Sequence, residues 1–67
     1  MLAQICLTKR ETEVMKAVAE GFSSQEVAEQ LMCCKRTIDF HLANAYEKLG
    51  AKNRMQAVNR AQKLGLI

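Results

Sequence analysis

The sequence predicts an all-α chain, a compact bundle of four short helices. Three observations carry that prediction. Apolar residues recur at helical spacing in four separate stretches, capping residues or glycines bracket those stretches, and strand-like alternation appears nowhere. At 67 residues the chain holds one domain at most, taken here as residues 1–67.

The first helix is expected over about 8–20. Thr8 and Glu11 form a capping box, in which hydroxyl and carboxylate each satisfy an orphan backbone N–H. Leu7 precedes the cap as a hydrophobic staple, and Val14, Met15 and Val18 follow on one face. Gly21 supplies the left-handed conformation that ends a helix.

Ser23 and Glu26 form a second capping box, opening a short helix over about 24–31 with Val27, Ala28 and Leu31 inward. Met32-Cys33-Cys34 has no helical period and reads as a tight turn. The third helix runs over about 35–49 and stops at Gly50. At 100° per residue, Ile38, Leu42, Ala45, Tyr46 and Leu49 share one core arc. The opposite arc holds Arg36, Phe40, Ala43, Asn44 and Glu47. Thr37, His41 and Lys48 lie on one shoulder, Lys35 and Asp39 on the other. Asn53 and Gln56 open a fourth helix over about 54–64, ended by Gly65, with Ala57, Val58, Ala61 and Leu64 as its inner stripe.

Composition narrows the function. The chain is 49% apolar and 25% charged, which is globular rather than disordered. No apolar run approaches a membrane span and no signal-peptide pattern opens the sequence, so the cytoplasm is expected and no membrane partner. Cys6, Cys33 and Cys34 are odd in number, two of them adjacent, and His41 is the only histidine. That spacing suits neither a disulfide framework nor a zinc site, so no metal or cofactor is expected. No nucleophile–base pair, phosphate-cradling glycine loop or clustered carboxylate set can be assembled, so no catalytic residue is assigned and an enzyme is not expected.

Charge is divided along the chain. Residues 11–29 set Lys16 against Glu11, Glu13, Glu20, Glu26 and Glu29, a net of −4. Residues 35–54 set five basic residues against Asp39 and Glu47, a net of +3. A basic middle beside an acidic first half fits a polyanion on one face only.

A short helix, a turn of three or four residues and a longer helix make the outline of a helix-turn-helix over about 24–43. Its second helix would lie in the major groove of double-stranded DNA, with Lys35, Arg36 and Thr37 at the entering end and Phe40 and Asn44 along the same side. Ser23, Ser24, Gln25 and Lys48 suit phosphate contacts. Phe40, an aromatic opposite the core, fits a thymine methyl or a sugar; the alternative is packing on the stem of Arg36 or Lys48. A second reading is a helical protein-interaction module that contacts RNA polymerase or a partner regulator through Phe40 and Met55. On the fourth helix Met55, Asn59 and Gln62 point away from the inner stripe and, with Val58, form the expected homodimer surface.

Several of these segments resemble the LuxR-type (GerE-like) DNA-binding domain. They are Leu7-Thr8-Lys9-Arg10-Glu11-Thr12-Glu13-Val14, Gly21-Phe22-Ser23-Ser24-Gln25-Glu26-Val27-Ala28 and Thr37-Ile38-Asp39-Phe40-His41. Lys48-Leu49-Gly50-Ala51-Lys52-Asn53-Arg54 and Leu64-Gly65-Leu66-Ile67 complete the match over residues 7–67. The resemblance implies a four-helix output domain of a bacterial transcription regulator. Its third helix would read the major groove and its fourth would dimerise on a two-fold site. Phe40-His41, Asn44-Ala45 and Gln56-Ala57-Val58 look most like the quorum-sensing receptors, with response regulators the close alternative. Two residues depart from the family pattern. Asp39 stands where Lys or Asn is frequent, and pairs in prospect with Lys35 or a cytosine amine. Cys34 stands where a Ser cap is frequent.

Overall fold

A computed structural model describes residues 6–67; residues 1–5, the start of the expected domain, lie outside the described residues. The described chain folds as α1 (Lys9–Ala19), α2 (Ser24–Gln30), α3 (Lys35–Leu49) and α4 (Arg54–Lys63), with no strand among the described residues. α3 is the central element, packed against each of the other three.

Local chemistry sets the starts. Both capping boxes form: Thr8 accepts from the Glu11 N–H while Glu11 accepts from the Thr8 N–H, and Ser23 and Glu26 repeat the exchange. Asn53 caps α4 by accepting from the Gln56 N–H. Cys34 caps α3 with no side-chain hydrogen bond, as its weak thiol acceptor implies.

All four helices end alike. The residue after each left-handed position donates back five positions, from Phe22 to Ala17, Cys33 to Ala28, Ala51 to Tyr46 and Leu66 to Ala61. Glycine takes the left-handed position in three of these ends, and Met32 takes it after α2 at φ 57°. At Gly50 the α3 terminus is also closed from outside, because the Arg60 guanidinium of α4 donates to the Leu49 carbonyl at 2.9 Å and to the Gly50 carbonyl.

The core is Val14, Met15 and Val18 of α1, Val27 and Ala28 of α2, Ile38, Leu42, Ala45 and Leu49 of α3, and Ala57 and Ala61 of α4. These positions follow the inward stripes expected from the spacing, with one correction. Leu64 is 54% exposed, not inward. The helix stops there and the chain reverses at Gly65, so Leu66 and Ile67 pack on the core in its place.

Candidate nucleic-acid interface

Burial of Ile38, Leu42, Ala45 and Leu49 fixes the roll of α3, and the opposite side faces outward. Lys35, Arg36, Thr37 and Phe40 are exposed, and Asn44 is half-buried. Phe40 is 62% exposed and meets the neighbouring His41 ring edge-on at a centroid separation of 5.9 Å. An exposed aromatic beside a guanidinium offers apolar and hydrogen-bonding contact together.

The same outward side ends at Glu47, an exposed carboxylate eleven residues beyond Arg36, about 16 Å along the axis. On that side the basic and hydrogen-bonding groups gather at the N-terminal half of α3, bordered by Asp39 on one shoulder, and Glu47 lies at the far end.

Three charged residues on α3 are already partnered. Lys35 Nζ lies 3.2 Å from Asp39 Oδ2, one turn along the helix. The Lys35 ammonium first, and the Ser24 hydroxyl second, hold the Asp39 carboxyl below its ordinary range. Lys48, expected to meet phosphate, is paired within the protein. Its Nζ is 2.8 Å from Oε1 of Glu11, a carboxylate only 3% exposed at the foot of α1. Burial pushes the Glu11 carboxyl up, but hydrogen bonds from Lys48 and Thr8 outweigh it and leave the group below its ordinary value.

The α2 residues divide in the same way. Ser23 is occupied in its capping box, where its N–H donates to Glu26 at 2.8 Å. Gln25 is exposed and Ser24 half-buried, both at the helix start.

On the far side, Val18 and Ala19 of α1 and Arg54, Met55, Val58 and Asn59 of α4 line an open, mainly apolar groove. Met55 is 74% exposed, Asn59 and Gln62 are exposed, and Val58 is half-buried against the core. Sequence reasoning missed two features here. The Glu11–Lys48 pair joins residues 37 positions apart, and the Arg60 clasp joins α4 to α3. A turn lacking glycine was the one local signal for left-handed Met32.

Comparison with known proteins adds to this geometry. The profile described as "Bacterial regulatory proteins, luxR family" matches residues 6–61. The transcriptional activator protein LuxR of Aliivibrio fischeri is 44% identical over 61 residues, which is 91% of this chain and 24% of that protein. The structure of the transcription factor GerE superposes with a TM-score of 0.85 at 32% identity, covering 90% of each chain. The Vibrio cholerae VqmA dimer, described among LuxR-type receptors, gives 0.89 at 27% identity over 94% of this chain and 28% of that one. The chain spans about a quarter of the length of the curated relatives it matches.

Proposed function

This chain belongs to the luxR family of bacterial regulatory proteins, as a helix-turn-helix DNA-binding domain on its quorum-sensing branch, and from that premise we propose how it works. It binds double-stranded DNA sequence-specifically in the bacterial cytoplasm, as the output domain of a transcriptional regulator, with the N-terminal half of α3 in the major groove. The single observation that carries this reading is the bare Arg36–Phe40 side of α3. Elsewhere a half-exposed Phe on a charged helix is idle apolar surface; beside Lys35, Arg36 and Thr37 it completes a set of groove contacts.

In this reading Arg36 and Thr37 hydrogen-bond base edges, Phe40 meets a thymine methyl or sugar, and Asn44 reaches the edge of the footprint. Ser23, Ser24 and Gln25 bind phosphate from the start of α2 and set the register of α3. With roughly five phosphate contacts, log affinity falls against log salt with a slope near −4 to −5 per monomer. A fluorescently labelled random duplex, titrated at increasing salt, tests this. A slope in that range supports the reading, and no binding at low salt refutes it in favour of a module that binds protein alone.

Two copies act together on a two-fold site. Support comes from the exposed Met55, Asn59 and Gln62 beside Val58, which give α4 an apolar seam with polar edges. Sedimentation with a palindromic duplex tests it: two chains per duplex are expected, and one chain per duplex refutes the dimer.

A further inference from the structure

We propose that Asp39 is a specificity determinant of this interface, selecting a cytosine at one base pair and taxing every other duplex. The inference rests on the DNA-binding reading above. Asp39 is exposed on α3, on the shoulder it shares with Lys35 and about one turn from Arg36, so it borders the Arg36–Phe40 side. It is the only carboxylate in the N-terminal half of that helix. The Lys35 ammonium lies 3.2 Å from its carboxylate.

A carboxylate at the mouth of the groove has one acceptor-only function. Cytosine presents an amino donor in the major groove, guanine presents two acceptors, and thymine an acceptor with a methyl. Facing cytosine, Asp39 accepts from the amine and its charge is satisfied. Facing guanine or thymine, it is stripped of water against acceptors, with no donor to replace that water. Adenine offers an amine beside its N7 acceptor, which suits an amide better than a carboxylate.

The Lys35 pair adds a second effect. While Lys35 holds Asp39, its charge is partly neutralised and unavailable to phosphate. Non-specific binding, which depends on such charges, is thereby weakened. The correct base satisfies Asp39 and leaves Lys35 free to turn toward the backbone. One carboxylate thus lowers affinity for random sequence and restores it at the right site.

The test compares the wild-type chain with Asp39→Asn, Asp39→Ala and Asp39→Glu, each selecting duplexes from a random pool, with random-duplex affinity measured against salt. Asp39→Ala should lose the preference at one base pair, and Asp39→Asn should move it from cytosine toward adenine, each by about tenfold in relative affinity. Asp39→Glu should keep cytosine. Asp39→Ala should also bind random duplex several-fold more tightly, with a salt slope steeper by about one. Identical selected sequences for wild type, Asp39→Asn and Asp39→Ala would overturn the inference and leave DNA binding intact. Absence of wild-type binding at low salt would overturn both. Circular dichroism checks that each variant folds, as expected for an exposed position.

Discussion

Lys48 of α3 closes on Glu11 of α1 at 2.8 Å, across 37 residues of sequence, and so fixes α3 to the first capping box. Oε1 of Glu11 also accepts from the Thr8 N–H, so one buried oxygen serves a helix start and an interhelical ion pair. The bond holds α3 at its C-terminal end, away from Arg36 and Phe40. Removing the cation should be costly. Lys48→Ala leaves a nearly buried carboxylate with only its capping partners, and should lower stability by about 2 kcal/mol in urea unfolding.

The same pair sets a pH dependence. The folded Glu11 carboxyl lies below its unfolded value of 4.5, so its contribution is fully present above that pH and is lost as pH falls through the lower folded value. Urea midpoints between pH 7 and pH 3 should drop below about pH 4.5 in the wild type. In Lys48→Ala burial is left as the largest influence on Glu11, and that part of the drop should shrink.

Met32 sits left-handed at φ 57° and is 93% exposed, so its side chain returns little for the backbone cost. A left-handed L-residue costs roughly 1–2 kcal/mol, and glycine gives back up to about 1 kcal/mol through the entropy of the unfolded chain. Met32→Gly should therefore stabilise the fold by about 0.5–1 kcal/mol, raising Tm by several degrees. The reverse change should fail at Gly50, where an added Cβ would lie 3.1 Å from Arg60 Nη1 at an unfavourable φ of 66°.

Arg60 and Arg36 are both exposed arginines, yet their substitutions should separate. Arg60→Ala removes the clasp on the α3 carbonyls and should cost about 1 kcal/mol of stability while leaving base preference unchanged. Arg36→Ala should leave the melting temperature in place, weaken duplex binding by about 1–3 kcal/mol and relax one base position. Gln25→Ala should weaken all duplexes evenly. Thermal melts and duplex titrations on the three variants check this.

Most of the fold was legible because it is written locally. Thr8 with Glu11, Ser23 with Glu26 and Asn53 with Gln56 are contacts of three residues' separation, and the core stripe of α3 follows from its period alone. The exposed side of α3 follows by subtraction, and with it Arg36 and Phe40. What was not legible depends on neighbours distant in sequence. Lys48 reads as one more free cation until α1 is folded beside it, and Arg60 as a solvated arginine until Gly50 turns its carbonyl outward. Leu64 fits the inner stripe by period, and its exposure follows from where the helix stops.

The most direct test of the central claim is a labelled-duplex titration of Phe40→Glu beside the wild type at low salt. A carboxylate there changes no core contact, so the helical signal and melting temperature should hold. Placed in the groove, it would face acceptors and phosphates, and duplex affinity should fall tenfold or more. Equal affinity of the two proteins for duplex would contradict the account, because the Arg36–Phe40 side would then not be what meets DNA.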